Sequence, residues 1–258
     1  MEEKNYRVLR IEEQLYGCEE LPEGQPVLCD VLLEAADGTQ RVLPYPDAEL
    51  TRLDINEGST VTLRDHRLTK AAHKVYFTRH GETVWNVENK ICGATDIELT
   101  ALGHEQAIET GKKILEKKIE ADVILYSPLV RAKDTALHIS EITGIPAKEE
   151  MRLKEQNFGK YESTARDDAK FREAKKQFVE RYEGGESMLQ LAQRVYNLLD
   201  EVKASGKTCI LVAHNGIARV VQSYFYEMTN EEYAAFGVDN CAILQYEFSG
   251  EENGGAKA

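Results

Sequence analysis

The chain contains no apolar run near the roughly 18 residues that a membrane-spanning helix needs. Its first residues, MEEKNYRVLRIEEQ, are acidic and lack an apolar segment, so they do not read as a secretory signal. Cysteine is sparse. Cys18, Cys29, Cys92, Cys209 and Cys241 are odd in number, scattered, and never spaced C-x-x-C. That argues against a disulfide framework or a zinc knuckle and for a reducing, cytoplasmic location. Basic residues are in deficit, with 32 Lys and Arg against 45 Asp and Glu and a formal charge of −13. Nonspecific nucleic-acid binding depends on neutralising phosphates with Lys and Arg, so we expect neither nucleic acid nor membrane as a partner. The deficit still permits a small anion in a locally basic pocket. What remains is an ordinary globular composition, 42% hydrophobic and 30% charged over 258 residues. That is enough for one large domain or two smaller ones.

The two ends of the chain read differently. Residues 1–70 carry 8 basic and 15 acidic side chains, and four of the six prolines (Pro22, Pro26, Pro44, Pro46) fall there. Val27–Leu33 is a β-type run, Ala36-Asp37-Gly38-Thr39 supplies an Asp-Gly turn, and Arg41-Val42-Leu43 resumes extended. Glycine tolerates the positive φ such hairpin turns need. Asn56-Glu57-Gly58 marks a second turn before Thr60–Leu63, and residues 68–74 read as a short junction. From Lys74 onward, strands at 75–78, 122–126, 208–213 and 241–248 alternate with helices at about 100–119, 129–143, 165–182, 187–202 and from 217. Leu102, Ala107, Ile114 and Leu115 lie on or near one face of the first of these, and Ser187 with Gln190 forms a capping box. The pattern predicts an α/β fold, a three-layer α/β/α sandwich on a mostly parallel sheet, preceded by a small, mostly β domain. We expect boundaries at 1–70 and 71–250, with 251–258 a disordered tail.

Ligands gather at the carboxyl ends of strands in such sheets. One strand ends in Thr78-Arg79-His80-Gly81-Glu82-Thr83, another in Ser127-Pro128-Leu129-Val130-Arg131, a third in Ala213-His214-Asn215-Gly216. Two arginines and two of the six histidines thus converge on one edge. This set suits a phosphate monoester. Forked Arg donors match phosphoryl oxygens, and phosphoryl transfer is mostly positioning and charge stabilisation. A neutral imidazole, with an unperturbed pKa of about 6.5, is a competent nucleophile at neutrality. The missing part is an acid for the leaving alcohol, and a carboxyl beside bound phosphate is suited to carry that proton.

These residues resemble the signature of the histidine phosphatase superfamily, in its phosphoglycerate mutase-like branch. The resemblance runs in order over about residues 74–248. It passes through Trp85-Asn86, Gly93–Asp96, Leu99–Ala107, Ser127–Ala136, Leu153–Glu162, Gly185–Ser187 and Val212–Gly216. It implies that His80 is the nucleophile and is transiently phosphorylated. Arg79, Arg131 and His214 would hold the phosphoryl group, with Asn86 as a further phosphate contact. Glu155 would protonate the leaving group and then activate water. No metal and no cofactor is implied, because cationic side chains take the metal's role. Ser163 departs from the pattern, since relatives often have Gly there.

The bland reading applies elsewhere. His66, His73, His104 and His138 are expected to be structural, the last two on helix surfaces. Glu82, Glu149, Glu150 and Glu162 compete in sequence with Glu155 for the acid role. Arg166–Glu183 reads as a solvated helix face. Val84, Trp85, Val87, Phe158 and Tyr161 are the expected pocket walls. The expected function is a metal-independent phosphomonoesterase acting on a small phosphorylated metabolite. A phosphoglycerate mutase is the alternative, disfavoured by the short segment between Glu155 and Glu186, and a phosphate-binding regulatory module is the second. The N-terminal β module could form a homodimer, cover the pocket or bind a partner.

Overall fold

A computed structural model describes residues 4–14, 25–35, 37–70 and 73–248. The junction at Ala71 and Ala72 and the tail from Ser249 onward lie outside the described residues. The described residues up to His73, with Lys203–Gly206 and Phe248, cluster as one compact unit. Lys74–Val202 and Lys207–Glu247 form the other.

The first unit is an antiparallel sheet of β1 (Lys4–Glu13), β2 (Leu28–Ala35), β3 (Gln40–Pro46), β4 (Thr60–Arg64) and β5 (Arg67–Lys70). The strand order is β3-β2-β1-β4-β5, and a single turn of helix, α1 (Asp47–Arg52), follows β3. Along β2 every second residue is buried, the period-2 signature of a sheet with one covered face. Its core gathers Val8, Val31, Leu33, Leu43, Ile55 and Val61. The Asp-Gly hairpin forms as expected, with the Ala35 N–H donating to the Thr39 carbonyl at 2.8 Å. The supposed junction from Leu68 is instead strand β5, joined to β4 by Asp65 and His66, both at positive φ (48° and 60°). That two-residue turn contains no glycine, so the usual hairpin signal is absent from the sequence.

The second unit is built on the sheet β10-β6-β9-β7-β8. Its strands are β6 (His73–Arg79), β7 (Val123–Tyr126), β8 (Ala147–Glu149), β9 (Cys209–Ala213) and β10 (Ile243–Phe248). β6, β9, β7 and β8 run parallel. Helices α3 (Ala101–Glu116) and α4 (Val130–Thr143) pack on one face, where Ile114, Ala132, Ala136 and Ile139 meet Tyr76, Ile124, Ile210 and Val212. Side chains alternate along a strand, so Cys209, Leu211 and Ala213 face the opposite layer. There α6 (Met188–Ser205) and α7 (Asn215–Phe225) bury Leu191, Val195, Leu198, Ile217, Val220 and Val221. Short helices α2 (Val84–Val87), α5 (Ala169–Ala174) and α8 (Asn230–Ala235) complete the unit. Both expected caps are present. Thr100 accepts from the Gly103 N–H, and Ser187 and Gln190 exchange side-chain-to-backbone bonds. Leu102 and Leu115 are half exposed, off the buried face that Ala107 and Ile114 share. No helix among the described residues is long and apolar enough to cross a membrane.

One expected helix is mostly absent. Of residues 165–182 only Ala169–Ala174 is helical, capped by Asp168. A straight helix would carry Tyr182 about 16 Å along the axis from Phe171. The two rings instead lie 6.1 Å apart, within a cluster with Phe158 and Tyr161. Packing of these aromatics outweighs the helical preference of the charged residues between them.

Candidate active site

The register of the parallel sheet assembles the site. Arg79 pairs with Ala213 and Tyr126 with Val212, so three strands end level. The next residues, His80, His214 and Ser127, are therefore neighbours. His80 is 5% exposed, and its backbone N–H donates to the Ala213 carbonyl at 2.9 Å. Its Nδ1–H donates to the Gly81 carbonyl at 2.7 Å, which fixes the tautomer and leaves the Nε2 lone pair for chemistry. The His214 ring lies 5.1 Å from it, fully buried, with Nε2 2.7 Å from the Ser127 hydroxyl.

Burial pushes the pKa of His80 well below the usual imidazole value, and the Arg131 and Arg79 charges lower it further. Burial, then Arg131, does the same to His214. Both rings are thus neutral at pH 7 in the folded molecule. Unfolded imidazoles take up protons below about pH 6.5. The unfolded state then binds more protons than the folded one, so stability falls as pH drops below that value. The slope is at most about 1.4 kcal/mol per pH unit for each ring. Urea titrations at pH 7 and pH 5 are expected to show a shallower pH dependence for His214→Gln, by one imidazole's share.

Arg131 has no exposed surface. Its Nη1 and Nη2 donate to the carbonyls of Thr95 (2.9 Å) and Gly93 (2.7 Å). That loop is itself held by Glu162, whose carboxylate accepts from the N–H groups of Gly93, Ala94 and Phe158 and from the Thr95 hydroxyl. Glu162 is therefore committed to positioning. Glu150 is bound by Arg152, and Glu82 accepts from the Thr100 hydroxyl. Glu155 alone among the competing carboxyls borders a cavity beside these cations. It is 5% exposed, accepting from Gln156 N–H at 2.8 Å and Gly216 N–H at 3.0 Å. The latter bond exists because α7 begins at Asn215, earlier than the expected Ile217, and so aims its first-turn N–H groups at the carboxylate.

Arg79 donates through Nη1 to the Val238 carbonyl at 2.8 Å. Burial lowers its pKa to about 10, and it stays cationic at neutrality. At this strand edge three nitrogens, Arg79 Nε, Arg131 Nε and His214 Nδ1, are buried without a hydrogen-bond partner. Buried polar groups are nearly always paired, and these belong to three of the four residues, Asn86 being the other, that the resemblance assigns to phosphate. Asn86 caps α2 with Thr83, and its Oδ1 accepts from Asn240, whose amide also donates to the His80 carbonyl at 2.7 Å. Among the described residues no three His, Cys, Asp or Glu side chains are grouped as metal ligands.

The cavity measures about 230 Å³. Arg79, Arg166, Lys175 and Arg219 line it, with Glu155 the one acid among the described lining residues and Ile91, Phe158 and Phe171 as apolar wall. The sequence reading therefore needs correction in three places. Arg166, Phe171 and Lys175 belong to the cavity wall and not to a solvated helix face. Val84 and Val87 are 48% and 66% exposed and are not among the residues lining this cavity. Tyr161 packs behind the wall against Phe171. His104 on α3 and His138 on α4, both part-exposed, contact one another, with His104 Nδ1 3.0 Å from His138 Nε2. Arg219 and Ser127 were missed as site residues. Their only signal is a place on or beside an element that ends at the cluster.

Ser163 sits at φ 65°, exposed, with its N–H donating to the Ile91 carbonyl at 2.9 Å. Left-handed backbone costs a non-glycine residue about 1–2 kcal/mol. Allowing for the greater freedom of unfolded glycine, Ser163→Gly is expected to stabilise by about 0.5–1 kcal/mol. That should raise Tm by about 1–4 °C in calorimetry.

A profile of the histidine phosphatase superfamily (branch 1) matches residues 75–255. A 2,3-bisphosphoglycerate-dependent phosphoglycerate mutase of Chelativorans sp. (strain BNC1) is 32% identical over 169 residues, 60% of this chain and 82% of that protein. The uncharacterized phosphatase PhoE of Bacillus subtilis (strain 168) is 36% identical over 143 residues, 54% of this chain and 70% of that protein. Among solved structures, a mycobacterial glucosyl-3-phosphoglycerate phosphatase superposes with a TM-score of 0.59 at 27% identity, covering 68% of this chain and 90% of that one.

Proposed function

Because the chain belongs to the histidine phosphatase superfamily, branch 1, we propose that it is a phosphomonoesterase acting on a small phosphorylated metabolite through a phosphohistidine at His80. The observation that carries this reading is the set of unpaired buried nitrogens on Arg79, Arg131 and His214 beside a neutral His80 whose Nε2 is free to attack. Phosphoryl oxygens would complete the hydrogen bonding of all three.

In the first step His80 Nε2 forms a bond to phosphorus as the P–O bond to the alcohol breaks. Glu155 gives the departing oxygen its proton. In the second step water attacks the phosphohistidine, Glu155 takes a proton from it, and the P–N bond breaks to release phosphate and free His80. The cationic groups stabilise charge on the transferring oxygens in both steps.

The test combines rapid quench and product analysis with EDTA present throughout. An acid-labile, base-stable phosphoenzyme and stoichiometric inorganic phosphate are expected from phosphomonoesters. A coupled 3-phosphoglycerate to 2-phosphoglycerate assay that runs as fast as hydrolysis would make the protein a mutase. Phosphate binding with no turnover across a broad phosphoester panel would make it a binding module.

A further inference from the structure

The cavity holds more positive charge than one phosphoryl group accounts for. The transferring group would be met by Arg79, Arg131 and His214; of these Arg79 lines the cavity, and Arg166, Lys175 and Arg219 line it as well, with only Glu155 opposing them among the described lining residues. None of these three cations appears in an ion pair among the described residues. Two are anchored without being neutralised. Arg166 Nε donates to the Lys90 carbonyl at 2.9 Å, and Arg219 Nε to the Phe236 carbonyl at 2.8 Å, which fixes each guanidinium and leaves its terminal donors for a ligand. Lys175 is half-buried, with Nζ 5.7 Å from the Phe171 ring centroid. Arg219 is likewise half-buried, while Arg166 is exposed, and cations even partly withdrawn from water without a counter-charge are costly. A protein that is acidic over its whole chain nonetheless concentrates three of them here.

We infer that the substrate carries a second anionic group on its leaving-alcohol portion, a carboxylate or a second phosphate, which Lys175 and Arg219 bind with Arg166 at the cavity mouth. The apolar stretch between the two anions would lie against Phe158 and Phe171. This inference rests on the phosphomonoesterase reading of the same site. Burial pulls the Lys175 pKa down to about 8, the mark of an ammonium that lacks a counter-charge in the free molecule.

The experiment uses two matched pairs on the full chain. The first is phenyl phosphate against 4-carboxyphenyl phosphate, compared by kcat/KM. The second is phenylphosphonate against 4-carboxyphenylphosphonate, compared by calorimetric Kd. In both, the carboxylated partner is expected to be favoured by about tenfold or more, as for a charge-assisted contact. Lys175→Met and Arg219→Met should each collapse that ratio by about tenfold. Lys176→Met, exposed on the same segment and paired with Glu173, should keep it. No preference for the carboxylated partner, or an equal loss on both members of each pair, would overturn the inference. Absent turnover would sink only the hydrolase reading, because the phosphonate pair still reports on the second anion.

Discussion

His80→Ala is expected to lower kcat/KM for any phosphomonoester by on the order of 10⁴-fold or more, the scale seen when a covalent nucleophile is removed. The structure offers no replacement. His214 has its Nε2 against the Ser127 hydroxyl, and the nearest thiol on the cavity wall, Cys92, is held protonated as burial raises its pKa. The three side chains proposed to hold phosphate do not depend on the His80 ring for their anchors. Arg131 hangs from the Gly93 and Thr95 carbonyls and Arg79 from Val238. Inorganic phosphate should accordingly bind His80→Ala within several-fold of the unsubstituted protein, which separates lost chemistry from a lost fold. Added imidazole should restore part of the turnover by entering the vacated space. Because the His80 ring is already neutral at pH 7, its own protonation should not shape the pH–rate profile near neutrality. Retained turnover, or an unlabelled phosphoenzyme position in the unsubstituted protein, would remove His80 from the mechanism.

How much of this was readable in advance depends on the kind of signal each residue carries. Arg79, His80, Arg131 and His214 lie at strand ends, and a strand that ends in RHG or HNG declares itself within a few letters. Their convergence follows once the sheet is parallel and its ends are level. Glu155 was legible through order along the chain, but its hold on the Gly216 N–H was not, because helix starts are poorly fixed by pattern. Arg166 and Lys175 were hidden for a different reason. A run of charges is the usual mark of a solvated helix, and only the inward packing of Phe171 and Tyr182 turns that segment toward the cavity. The hairpin at Asp65-His66 was hidden because its positive φ angles occur without glycine. In the sequence, the candidate nucleophile and phosphate ligands were more visible than the segments that wall them in, since the former are proposed from residue type and walls arise only by tertiary contact.

Gly216→Ala is expected to disable Glu155 while sparing the fold. A Cβ at this position would stand 2.4 Å from Glu155 Oε1 and 3.1 Å from its Cδ. Gly216 is not among the residues at positive φ, and alanine is the better helix former by about 1 kcal/mol, so the backbone has no reason to object. The carboxylate must leave, and with it goes the 3.0 Å bond from the Gly216 N–H. Loss of a positioned acid and base costs on the order of 10²–10⁴-fold. The loss should depend on the leaving group. An alkyl phosphate needs a proton on its departing oxygen and should suffer in the first step. p-Nitrophenolate leaves without one, so the first step should survive while hydrolysis of the phosphohistidine slows for want of a base. Stopped-flow measurement with p-nitrophenyl phosphate should then show a burst of about one nitrophenol per active site, and quenched samples should hold accumulated phosphoenzyme. Equal losses on both substrates without accumulation, or activity equal to the unsubstituted protein, would mean that Glu155 does not serve both steps.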